Sequence, residues 1–202
     1  MHSTAIIIFC SLLGTISASA LPPQRRDNAP PASFKGFYHP KNLPDGSYHV
    51  SLDANGSQIH TKLDVPFHID TNATHNSSNT PSLLQKRCSP TYSGAQVTCG
   101  NSNIDQLAWL NLKTNFDALC GGSGGQNVGA YQAIYSVYQG AQMYMCNYAH
   151  TISQNCVQAE LDNALGDIGC QCQNYLVGFE WIPNYYKNYG FVSGPGFCAN
   201  NK

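Results

Sequence analysis

The chain carries nine cysteines, and every one except Cys10 lies at or beyond position 88. Cys88, Cys99, Cys120, Cys146, Cys156, Cys170, Cys172 and Cys198 form an even set, which in an oxidising compartment predicts up to four disulfides of open connectivity. Cross-links of that density limit residues 88–202 to a small stapled domain, because each bridge removes conformations from the unfolded chain. A structural metal would instead need paired C-x-x-C knuckles. The tightest spacing is Cys170-Gln171-Cys172 with no second knuckle, so neither a metal nor another cofactor is expected.

Cys88 directly follows Lys86-Arg87, the dibasic pair after which kexin-type secretory proteases cut. Composition changes at the same point, from a polar segment rich in Pro, Asn, Ser and Thr to the cysteine-bearing region. At the N-terminus, Ile6 to Leu13 is a short apolar core and Ala18-Ser19-Ala20 a small-residue cleavage site, as in a secretory signal peptide. The sequence thus divides into a signal peptide (1–20), a propeptide (21–87) and a mature domain (88–202), with a kexin-type protease as processing partner. Nothing beyond residue 20 approaches the ~18 consecutive apolar residues of a membrane helix. The expected location is extracellular.

Residues 21–87 are expected to be largely disordered, since Pro22-Pro23 and Pro30-Pro31 remove backbone donors and bias their neighbours away from helix. One compact stretch stands out. Between 46 and 63, two runs of alternating apolar and polar residues flank Asp53-Ala54-Asn55-Gly56, which predicts a short hairpin about an Asn-Gly turn. A lone hairpin is marginal in water, so it either docks on the mature domain or fluctuates. The three N-x-S/T sequons, Asn55, Asn72 and Asn76, all fall in this segment, which predicts that the propeptide carries sugar and the mature domain does not.

After Cys88, Ala95–Cys99 reads as a strand. A helix follows, capped by Asn103, with Ile104, Leu107, Ala108, Leu112, Phe116 and Leu119 on one face. Gly121 to Gly125 ends it. Residues 131–137 and 141–148 alternate as two strands turned at Tyr138-Gln139-Gly140, and a second helix starts with Asn155 as cap and Gln158 at capping-box spacing. A last strand is expected from Phe191-Val192 or Gly196-Phe197-Cys198. The order predicts an α+β, ferredoxin-like βαββαβ two-layer sandwich, with both helices on one face of an antiparallel sheet.

The chemistry of residues 88–202 is sparse: one histidine (His150), no arginine and three lysines. With a formal net charge of -1 over the chain, that inventory argues against nucleic acid as a partner and against ribonuclease chemistry, which needs an acid, a base and cations on the phosphate. Glycoside hydrolysis needs only two carboxylates. Asp105, Asp117, Glu160, Asp162 and Asp167, however, read as solvated helix positions, leaving Glu180, beside Trp181, with an environment able to raise its pKa. No catalytic residue is assigned. The aromatic tail offers binding instead, with Trp181, Tyr185, Tyr186 and Tyr189 as candidates. One of the adjacent pair Tyr185-Tyr186 is expected to face outward.

The eight cysteines, the βαββαβ order, the strand Gly140 to Tyr148, the helix closing on Cys170 and Cys172, Tyr189-Gly190 and the terminal Gly196-Phe197-Cys198 together mark a resemblance. Residues 88–202 resemble the fungal effector group whose fold is like the alpha subunit of a smut-fungus viral killer toxin. The resemblance is one of layout. It implies a non-enzymatic secreted effector or toxin-like protein that binds a host or competitor target, either a protein or a membrane, with no catalytic residues to carry over. The aromatic tail independently suggests the other reading, binding of a wall polysaccharide.

Overall fold

The computed structural model describes residues 35–71, 88–122 and 124–199. The signal-peptide region, Asn72, Asn76, Lys86 and Arg87 lie outside the described residues. Before Cys88 come β1 (Phe37–Tyr38), β2 (Gly46–Leu52) and β3 (Gln58–Lys62). After it come β4 (Gln96–Asn103), α1 (Gln106–Gly121), β5 (Asn127–Val128), β6 (Gln132–Tyr138), β7 (Ala141–Asn147) and β8 (Gln154–Asn155). The chain closes with α2 (Gln158–Cys172), β9 (Leu176–Ile182), β10 (Lys187–Ser193) and β11 (Gly196–Phe197).

Local signals explain most of these elements. Gln139 and Gly140 both take positive φ, at 51° and 77°, which turns β6 into β7 with the twist that two-residue hairpins require. The β2–β3 hairpin is present where expected, but its loop runs from Asp53 to Ser57. The Asp53 carboxylate accepts from the Asn55 and Ser57 amides, both at 2.8 Å, and Gly56 supplies φ +80°. Helix α1 is capped by Asp105, which accepts from the Leu107 and Ala108 amides, whereas Asn103 ends β4. The expected cap of α2 also shifts. Asn155 belongs to β8, and Val157 begins the helix without a side-chain cap.

The mixed α+β class and the antiparallel pairing hold, but the four-stranded ferredoxin-like layer is not what forms. Among the described residues the main sheet has seven strands in the order β3-β2-β6-β7-β10-β9-β4, each neighbouring pair antiparallel. Two causes account for the difference. The tail supplies β9 as well as β10, and β10 inserts between β7 and β9. The N-terminal hairpin adds β2 and β3 at the other end, through five residue pairs between β2 and β6. Residues 35–71 therefore depart from the largely disordered segment that composition suggests, because the apolar side of the hairpin finds a partner on β6.

Both helices pack on one face, where Leu112, Phe116, Leu161, Ala164 and Ile168 meet Ile134, Met143, Met145 and Phe191. The second face is covered over β2, β6 and β7 by the β1–β11 ribbon. There Phe197 lies 4.8 Å from the Tyr135 ring and 5.4 Å from Tyr144, and Tyr48 stacks on Tyr135 at 5.3 Å. Val50 and Ala133 fill the space between. Burying each such large side chain contributes roughly 1.5–3 kcal/mol, so two cores rather than one stabilise the sheet.

Four disulfides among the described residues use all eight cysteines. Cys88–Cys170 and Cys99–Cys172 tie the segment before β4 and β4 itself to the end of α2. Cys120–Cys156 joins the helices, and Cys146–Cys198 fastens the tail to β7. No described helix is long and apolar enough to cross a membrane.

Candidate binding surface

The β1–β11 ribbon stops short of the β10-β9-β4 end of the second face, and that end stays open. Register decides what it shows. Opposite residues in antiparallel strands share a face, so Gln96, Trp181 and Asn188 form one row, and Thr98, Phe179 and Gly190 the next. Trp181 meets Tyr148 edge-on at 5.3 Å and Tyr186 at 6.4 Å. The Tyr148 hydroxyl accepts from Asn188 Nδ2 at 3.2 Å. Tyr186 is 54% exposed, Trp181, Tyr148 and Phe179 are partly exposed, and Gln96 and Thr98 stand in solvent beside them. At Gly190 a Cβ would lie 2.6 Å from the Phe179 Cβ and 2.7 Å from the Tyr144 hydroxyl, so glycine is what lets both rings lie across the strand.

The short 3-10 turn Pro183–Tyr185 separates the two adjacent tyrosines. Tyr186 takes a left-handed conformation (φ 50°), and its carbonyl accepts from the Tyr148 amide, which directs its ring toward Trp181. Tyr185, 40% exposed, turns to the helix side, edge-on to Tyr92 at 6.0 Å. Neither points inward, so the expectation that one would be outward understates the pair.

On the helix side lies an open cleft of about 530 Å³ lined by Asn127, Asn155, Val157, Glu160, Tyr185 and Lys187. Lys187 is ion-paired with Glu160 at the first turn of α2, donates to the Asn155 carbonyl at 3.1 Å, and sits 5.3 Å from the Tyr185 ring. The Tyr189 hydroxyl donates to the same Glu160 carboxylate at 2.9 Å. Tyr189 is fully buried, which places it away from the open face: its ring lies on the helix side of β10, in a row with Glu180, and fixes α2 to the sheet. Lys187 and Glu160, which the sequence reading left aside, carry the charge of this cleft. The signal available was a lysine inside an aromatic run.

Glu180 also differs from expectation. Alternation along β9 places it on the helix face, away from Trp181, in a row with Val97 and Tyr189. It is fully buried, and no N–H or hydroxyl donor reaches either oxygen. Burial pushes its carboxyl up to about 7, and the Asp167 carboxyl adds to the shift by repulsion and by a hydrogen bond that requires a proton between them. The remaining acids behave as helix-surface groups. Asp105 is a cap, and Asp117 and Asp162 flank Lys113 at 2.7 and 2.6 Å. His150 is exposed and partners the Tyr131 hydroxyl, outside the cleft. Asn55 stands exposed at the tip of the β2–β3 loop, open to modification.

No family model matches the chain, and neither a curated protein nor a solved structure is significantly similar to it.

Proposed function

We propose that this is a secreted, non-catalytic binding protein whose open aromatic sheet face takes a polysaccharide of the chitin or glucan kind. The observation that carries the reading is the Trp181–Tyr148–Tyr186 group with Gln96 and Thr98 at its side, left uncovered beyond the part of this face that the β1–β11 ribbon caps. A sugar ring presents an apolar C–H face and a rim of hydroxyls. Rings with polar tips match the first and amide or hydroxyl side chains the second. Four disulfides favour an oxidising compartment, in keeping with the signal-like leader. The acids of the helices, bound up as cap and ion-pair partners, support a role without catalysis. The effector or toxin-like role implied by the resemblance is the wider proposal, with target binding at this same face.

Retention of the full chain on insoluble chitin or β-glucan tests it. Binding is expected to fall roughly tenfold in Trp181→Ala and several-fold in Tyr186→Ala, whose exposed ring is dispensable to the core. Tyr185→Ala, on the other side of the sheet, is expected to bind as the parent does. If neither polysaccharide retains the parent protein, the glycan reading fails and a protein or membrane target takes its place.

A further inference from the structure

Residues 35–71 have no covalent tie to the rest of the fold beyond the main chain through 72–87. All four bridges fall among residues 88–198, and the segment contains no cysteine. It is nevertheless held on three sides. β2 pairs with β6 across five positions, so the sheet continues into it without a break. β1 pairs with β11, bringing Phe37 onto Phe197 at 6.0 Å, and Phe37, Tyr48 and Val50 are buried with Tyr135, Val137 and Tyr144.

The third hold is polar and specific to main chain. Asn111 and Asn115, one turn apart on α1, are almost fully buried. Asn115 accepts from the His68 amide and donates to the His68 carbonyl, both at 2.7 Å. Asn111 does the same for residue 70, at 2.7 and 3.2 Å. Two side-chain amides thus imitate the edge of a strand and grip an extended peptide without reading its side chains. Along β2, Ser47 meets Ser136 at 2.8 Å and His49 meets Gln132 at 2.8 Å. Withdrawing the segment would strip these partners and bare Tyr135, Val137 and Phe197 to water. Unpaired polar groups and a bared apolar face are both costly.

We infer that hydrolysis after Arg87 does not release the 88–202 domain but yields a two-chain protein, with residues 35–71 retained as its noncovalent strand partner. Water adds across the Arg87–Cys88 peptide bond, leaving a carboxylate on Arg87 and an amine on Cys88, and no other bond changes. The inference rests on the dibasic cut and is independent of the glycan reading, so either can fail alone.

The test uses the full secreted chain with a sequence-specific protease site inserted between Arg87 and Cys88, so that cutting goes to completion. On native size exclusion the cut protein is expected to elute as one species. Mass spectrometry should find both pieces in equal amounts, and non-reducing denaturing electrophoresis should separate them. In Asn111→Ala/Asn115→Ala the cut pair is expected to dissociate at roughly tenfold or higher concentration than the parent pair, since up to four hydrogen bonds are lost. Elution of the 88–202 piece alone in native buffer, or its aggregation on cutting, would overturn the inference. Equal dissociation of the parent and the double variant would overturn the asparagine grip.

Discussion

Replacing Val50 by aspartate is expected to destabilise the protein by on the order of 4 kcal/mol, although Val50 lies in the segment that composition marks as dispensable. Its side chain is fully buried between Tyr48, Ala133 and Tyr135, and an unpaired carboxylate there loses its hydration with nothing in exchange. For a domain of this size that corresponds to roughly 10 °C or more in Tm. Thermal and urea unfolding of the full chain check it against Ile59→Asp. Ile59 sits nearby on β3 at 49% exposure, and its substitution is expected to change stability by no more than about 0.5 kcal/mol. An appendage resting loosely on the domain would tolerate both changes equally, and that outcome would remove β2 from the core.

The second large effect depends on pH. Glu180 has an unfolded value of 4.5 and a folded value of about 7, so in that window the native state binds more protons than the unfolded chain. Stability therefore falls as pH rises from about 4.5 to 7, by on the order of 3 kcal/mol. Glu180→Gln keeps the shape and removes the charge. The variant is expected to match the parent near pH 4.5 and to exceed it by up to that amount above pH 7. His39 and His60 run the other way. Burial lowers both, so their share of stability is present above 6.5 and is lost as pH falls below it. For this reason the difference between variant and parent, rather than either curve alone, isolates Glu180. Identical pH profiles would mean that the Glu180 carboxyl titrates as it does in the unfolded chain, and would overturn the shift.

How far the sequence reaches is clear from particular residues. The β2–β3 hairpin was legible because the turn and the alternation are local signals. Its docking was not, because alternation shows which side is apolar but not what covers it. β9 escaped notice because its run, Leu176 to Ile182, follows the positive-φ residues Gln173 and Tyr175 and mixes a glycine and a glutamate with aromatics. Asn111 and Asn115 gave no signal in the sequence, since a buried amide declares itself only when its partner, in this case the chain at 68–70, is in place. Aromatic content singled out Trp181, Tyr185, Tyr186 and Tyr189 together, but content says nothing about which side of a strand a ring occupies: Trp181 and Tyr186 meet on the open face, Tyr185 turns to the helix side and Tyr189 is buried. The cysteine arithmetic succeeded because parity is independent of geometry, whereas the pairing was open until α2 placed Cys170 and Cys172 beside Cys88 and Cys99.

The position of β2 beside β6 also sets the order in which the molecule can assemble. His49 and its partner Gln132 are 83 residues apart, so the first hairpin to emerge during synthesis must wait for a strand not yet made. β6 and β7, joined by two residues, can close at once, and the waiting hairpin can then add to β6 while β9 and β10 are still to be made. The earliest part of the chain is therefore without a partner until β6 appears. Its unpaired edge during that interval is the point at which the folding chain is most exposed to misassociation, and a glycan on the exposed Asn55 loop would shield the waiting hairpin.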